Sequence, residues 1–196
     1  MPNATTSAHK PSPKHSSENS PKNTAKTVVM YYLLAVVALI IDQSTKYYFN
    51  NAFELGESVD VISPVLNWTL AYNYGAAFSF LANAGGWQKY FFAGLGVAVS
   101  AFIINYLWRL ANTAKLLSFG LALVLGGAIG NVIDRFVHGY VIDFIHVHYY
   151  NVWHYPIFNM ADVWICVGMA CVVIDMLFFE NKRKAAAIKA ASTANE

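Results

Sequence analysis

The chain has 196 residues, of which 57% are hydrophobic and only 12% charged, with a formal net charge of +2. A soluble domain carries about 25% charge, so this composition is too poor in charge to cover a water-facing surface and excludes a soluble fold. Cys166 and Cys171 lie five residues apart in one apolar stretch, which puts them about 140° apart around a helix axis and excludes a disulfide framework or CxxC ribbon.

Residues 1–26 are rich in Ser, Pro, Asn, Thr and Lys and carry almost no large apolar side chains. Such a segment cannot bury enough surface to offset its ordering entropy and is expected to be a disordered tail. Thr27 to Ile41 is uncharged, and the apolar pattern then admits Asp42 and Lys46 before ending near Phe49. No small-x-small cleavage site follows it, so this run is expected to remain as a first membrane helix over 27–49.

The segment 51–80 changes character. Val59-Asp60-Val61-Ile62 leads through Pro64 to Leu66-Asn67-Trp68-Thr69-Leu70-Ala71-Tyr72, and this alternation of aromatic and β-branched residues predicts short strands. A small sheet at the headgroup level suits so many Trp and Tyr side chains. Tyr90 to Trp108 then gives 19 residues without a charge, and Leu116 to Ile133 gives 18, each close to the roughly 20 that a helix needs to cross the hydrocarbon core. These predict helices over 88–108 and 116–136, the latter carrying Gly120, Gly126, Gly127 and Gly130 as small residues for close helix packing. Arg135 to Phe158 is expected to be a second outward loop or short helix. A fourth span over 159–179 contains Asp162 and Asp175, and 181–196 forms a basic tail.

The expected fold is therefore membrane all-α: four transmembrane helices, 27–180, with a small extracytoplasmic β-sheet. Ten of the thirteen basic residues flank the chain ends or the loop between the second and third spans, leaving Lys46, Lys89 and Arg135 on the other side. The positive-inside rule then puts both termini in the cytoplasm.

Asp42, Asp134, Asp143 and Asp162 all map near the outward ends of these spans. Ionisable groups bordering hydrocarbon are costly, which makes them functional candidates. Asp42 and Lys46 share a helix face at i, i+4 and would also suit a purely structural ion pair. Asn131 and Asp134 stand one turn apart beside Arg135, and Asn159 and Asp162 repeat that spacing where the helix dipole favours an anion. Two carboxylates held together cannot both ionise, so they share a proton and can serve as base and acid toward water and a carbonyl. Spacing leaves open whether Asp134 or Asp143 partners Asp162. His138, His146, His148 and His154 crowd the second outward segment, but an HxH pair without HExxH is a weak zinc signal. Carboxylates in membrane spans also suit a transporter, although those usually lie near mid-membrane and in repeated halves.

Five motifs carry a more specific resemblance: Asp42-Gln43-Ser44-Thr45-Lys46, Asn73-Tyr74-Gly75-Ala76-Ala77-Phe78, Gly126-Gly127-Ala128-Ile129-Gly130-Asn131-Val132-Ile133-Asp134-Arg135, Val141-Ile142-Asp143-Phe144 and Phe158-Asn159-Met160-Ala161-Asp162. In this order and spacing, over about residues 28–180, the chain resembles the lipoprotein signal peptidase (signal peptidase II) family. The resemblance implies an aspartyl endopeptidase of the bacterial inner membrane. Its substrate would be a diacylglyceryl-modified prolipoprotein, cut on the N-terminal side of the lipidated cysteine at the outer membrane face. It implies Asp143 and Asp162 as the catalytic dyad, and Asp42, Lys46, Asn73, Gly75, Asn131, Asp134, Arg135, Asn159 and Ala161 as residues that shape the site or hold substrate. No metal, cofactor or nucleic acid is expected, membrane lipid is the expected surrounding, and a single chain is expected to suffice.

Overall fold

A computed structural model describes residues 21–75, 85–110 and 113–193. Among these, four helices are long and apolar enough to cross a membrane: α1 (Pro21–Ala52), α2 (Gln88–Leu110), α3 (Lys115–Val137) and α4 (Met160–Phe178). Residues 1–20 of the expected disordered tail lie outside the described residues. Residues 21–26 differ from that expectation, because α1 already begins at Pro21; proline is well suited to a first helical position, where its missing N–H is no loss.

Helix α3 is the hub, packing against α1, α2 and α4. Its small residues explain this. A Cβ on Gly120 would lie 2.6 Å from the carbonyl oxygen of Gly168 in α4, and one on Gly168 would lie 2.5 Å from that of Gly120. The two backbones therefore touch, a contact that any larger side chain would force apart. Around this seam Val28, Tyr31 and Ala35 of α1, Ile103 and Leu107 of α2, and Leu121, Ala122 and Leu125 of α3 form the apolar core.

One end of the bundle carries an antiparallel sheet in the order β1 (Ser58–Ile62), β2 (Leu66–Asn73), β3 (Val141–Tyr149) and β4 (Trp153–His154). The first two strands fall within the segment expected to be extended. The second outward segment corrects its expectation of a loop or short helix, since nine residues of it form β3. Val141-Ile142-Asp143-Phe144-Ile145 is extended because β2 supplies a partner, pairing Trp68 with Ile145 and Ala71 with Asp143. Phe49 near the end of α1 stacks on Phe144 with ring centroids 4.2 Å apart and also meets Trp68, which fastens the sheet to the bundle. Phe158 bridges to Ile145 just before α4 starts, so β3 and the head of α4 are held side by side.

Beyond α4 the chain continues as α5 (Glu180–Thr193), a helix with no buried residues that covers most of the expected basic tail. Arg183 holds the buried Asp175 of α4 with both guanidinium arms, at 2.8 and 2.5 Å.

Candidate functional site

At the sheet end of the bundle, two turns of α1 deliver Asp42, Gln43 and Lys46, while the last turns of α3 deliver Asn131, Asp134 and Arg135. Strand β3 carries Asp143, and the start of α4 carries Asn159, Ala161 and Asp162. The end of β2 and the residues after it add Asn73 and Gly75. All the residues singled out in the sequence lie at this end, but they form two different arrangements.

The first is closed around Lys46. Its ammonium, 1% exposed, sits 2.9 Å from Asp42 Oδ2, 2.9 Å from Asp134 Oδ2 and 2.9 Å from Asn131 Oδ1. An ammonium has three protons to donate, so this cation is fully satisfied. The carboxylates are likewise used up. Asp42 Oδ1 accepts the backbone N–H of Ala161 at 2.8 Å, and Asp134 Oδ2 accepts that of Ile142 at 3.1 Å. Gln43 Nε2 donates to Asp134 Oδ1 at 3.0 Å and Asp42 Oδ2 at 3.1 Å. Gly130 is required beside this cluster, because a Cβ there would collide with the Asp42 carboxylate.

The second arrangement is open. Asp143 Oδ1 accepts from Asn159 Nδ2 at 2.6 Å, and Asp162 Oδ1 accepts from Asn131 Nδ2 at 3.0 Å. Asn159 also caps α4: its Oδ1 accepts the Asp162 N–H at 3.0 Å, while Asp162 Oδ2 accepts the Asn159 N–H at 3.3 Å. This reciprocal capping box fixes the Asp162 side chain, and the same asparagine reaches Asp143. Burial, reinforced by the negative charge of Asp162, pushes the Asp143 carboxyl up to about 7. Hydrogen bonds from Asn73 and Asn159, and the charge of Lys46, offset part of that rise.

Arg135 spans the site from the side. Its Nη1 donates to Asn131 O at 3.0 Å and its Nη2 to Gly75 O at 2.9 Å, while the guanidinium lies over the Phe92 ring. Gly75 in turn donates its N–H to Asn73 Oδ1 at 3.0 Å. Residues 76–78, the rest of that motif, lie outside the described residues.

Asp143 and Asp162 both line a groove of about 730 Å³ between the sheet and α4, together with Asn73, Asn131 and Arg135. Val147, Trp153, Tyr155, Ile157, Val163, Ile165 and Cys166 make its apolar walls. Asp42, Lys46 and Asp134 do not line it. His146, His148 and His154 stack on one another away from the groove lining, with His146 Nε2 and His154 Nδ1 3.1 Å apart. No group of three or more His, Cys, Asp or Glu side chains among the described residues is arranged to hold a metal ion.

The sequence reading missed Gln43 and the Ile142 N–H. Gln43 left one signal, an amide beside Asp42 in a membrane helix, where a polar side chain needs partners. The Ile142 N–H left none, since every residue but proline has one.

Comparison with known proteins bears on the whole arrangement. The sequence model of a peptidase family described as signal peptidase (SPase) II matches residues 34–178. A lipoprotein signal peptidase of Chromobacterium violaceum is 49% identical over 149 residues, covering 75% of this chain and 90% of its own length. One from Pseudomonas fluorescens is 47% identical over 155 residues, with 79% and 90% covered. A solved bacterial membrane enzyme superimposes with a TM-score of 0.68 at 32% identity, over 76% of this chain and 87% of its own.

Proposed function

This chain belongs to the signal peptidase II family, and on that premise we propose that Asp143 and Asp162 are the pair with which it removes signal peptides from lipoproteins. It is a multi-pass bacterial membrane protein and a peptidase. The observation that carries the assignment of the pair is chemical: these two aspartates face one groove and neither forms an ion pair among the described residues, whereas Asp42 and Asp134 are tied to Lys46.

The environments give the two carboxyls different work. Asp162 stands in the first turn of α4 and accepts from the Asn159 backbone and the Asn131 amide, which fix its carboxylate toward the groove. It takes a proton from water as that water attacks the scissile carbonyl carbon. Asp143, with its carboxyl near 7, keeps its proton and donates it to the carbonyl oxygen. The tetrahedral intermediate then collapses: the C–N bond breaks, the proton held by Asp162 passes to the leaving amine, and Asp143 recovers its own. Asn73, Asn131 and Arg135 border the groove, where their donors suit the backbone of an extended peptide.

The substrate is a diacylglyceryl-modified precursor, cut on the N-terminal side of the lipidated cysteine. The apolar walls of the groove support this, because burying acyl chains contributes about 0.8 kcal/mol per methylene. The basic ends of the chain support cytoplasmic termini and a site at the outer face. One chain holds every group named, so a monomer suffices. Purified protein in detergent, given lipidated and non-lipidated precursor with and without chelator, tests the reading. Lipidated precursor should be cut regardless of chelator, and Asp143→Asn and Asp162→Asn should bind without cutting. Full turnover by either variant, or equal cutting of both precursors, would sink it.

A further inference from the structure

Lys46 and Gln43 bind nothing in the groove, yet they lie at the centre of a symmetrical arrangement. Asp42 takes the N–H of Ala161, the residue immediately before Asp162. Asp134 takes the N–H of Ile142, the residue immediately before Asp143. The two outer carboxylates are drawn together by one ammonium, 2.9 Å from each, and by one amide, 3.1 and 3.0 Å from them. A chain of short polar contacts thus runs from the backbone of β3 through Asp134, Lys46 with Gln43, and Asp42 to the backbone of α4.

We infer that this buried triad is a clamp that sets the spacing of the two aspartates in the groove, with Lys46 and Gln43 as positioning residues for hydrolysis. The inference rests on the assignment of Asp143 and Asp162 as the reacting pair. Burial fits it: Asp42 and Lys46 are 0% and 1% exposed and Asp134 is 1% exposed, so water does not compete for these contacts. Replacing a buried ionic cluster by apolar side chains often costs a fold little, so stability alone is a weak reason for carrying three charges here. Geometry is a stronger one, because a displacement of about 1 Å at a reacting group can cost a hundredfold in rate. A second link strengthens the case: Lys46 also holds Asn131 Oδ1, and the other end of that amide donates to Asp162 Oδ1.

The test uses two variants that keep the charge of the site, Lys46→Arg and Gln43→Met, in the full-length protein with lipidated precursor. Charge matters because Asp162 of α4, Lys46 of α1 and the Asp134 and Arg135 pair of α3 all lie around Asp143, and deleting any of them would shift its titration directly. Arginine keeps the cation while replacing a three-fold point donor by a planar fork. Gln43→Met removes only the neutral amide link. Each variant should lose kcat by about tenfold to a hundredfold with KM nearly unchanged, since the groove walls are untouched. The high-pH limb of kcat should also move to lower pH, because aspartates set further apart repel less and the acid releases its proton sooner. Loss of activity in simple proportion to the folded fraction, with that limb in place, would overturn the clamp, and so would wild-type kcat in both variants. If Lys46→Arg does not fold, Gln43→Met decides by the same readings. Asp143→Asn and Asp162→Asn run alongside; activity in those would condemn the reacting pair rather than the clamp.

Discussion

Two pairs of aspartates, three of the four side chains buried, lie at the same end of one bundle, and their neighbours make them opposites. Asp42 and Asp134 share a lysine, a glutamine amide and two backbone N–H groups, so one ammonium offsets part of their charge and neutral donors engage the remaining lone pairs. Asp143 and Asp162 share an asparagine and face one groove, and neither forms an ion pair among the described residues. Identical side chains at similar depth thus become a strut in one place and a reactive site in the other. What separates them is first the cation: Asp143 is as buried as Asp42 and Asp134, and of the four only Asp162 is part-exposed.

The largest effect should therefore come from the open pair. Asp143→Asn or Asp162→Asn removes the proton donor or acceptor and should cut kcat by about 10³-fold or more while precursor still binds. The closed pair should fail differently. Lys46→Met leaves two buried carboxylates facing each other without a cation, which should cost on the order of 3–5 kcal/mol of stability. Thermal unfolding in detergent should show it directly. If Lys46→Met were as stable as wild type and Asp143→Asn as active, the distinction between strut and site would collapse.

The open pair should also carry a penalty that the closed pair avoids. Asp143 has a folded-state carboxyl near 7 against 3.8 for the free group, so the folded protein binds this proton more tightly than the unfolded chain. The resulting stabilisation is complete below about 4 and is lost as pH rises through about 7. At pH 8 the wild type bears a desolvated anion that Asp143→Asn does not. That variant should then melt higher than wild type, by an amount on the order of 2–4 kcal/mol, and the advantage should shrink at pH 5. The same titration limits turnover: kcat should fall about tenfold per unit above pH 7 as the acid is lost. A rate that stays flat to pH 9 would assign the proton elsewhere.

These distinctions were only partly legible in the sequence. The spans from Tyr90 to Trp108 and Leu116 to Ile133 could be read because an uncharged run of that length has few other uses. Asp42 and Lys46 could be paired from their spacing, since four residues along a helix is a contact by geometry alone. The second carboxylate on Lys46 comes from α3, and no local pattern announces a contact 88 residues away. Periodicity left Asp134 and Asp143 equivalent as partners for Asp162. The resemblance to a known family preferred Asp143, and the ion pair from Lys46 to Asp134 is consistent with that preference. Strand β3 escaped because its pairing partner, β2, lies on the far side of two membrane helices in the sequence. Pro21 was read as tail composition although it also fits a helix start.

The smallest expected effect comes from the opposite end of the bundle and isolates what the sheet end contributes. Asp175 is buried near the C-terminus of α4, where the helix dipole disfavours an anion. It is paired with Arg183, which reaches back from α5 with both arms and is itself part-exposed. Arg183→Gln leaves one neutral amide in place of that fork and should cost about 1–3 kcal/mol, read as a modest drop in melting temperature. Turnover should not change, because this pair stands a full helix length from Asp162 and shares no contact with the clamp or the groove. A loss of kcat in Arg183→Gln, measured well below its melting temperature, would mean that the position of α4 at the open pair is set from both ends.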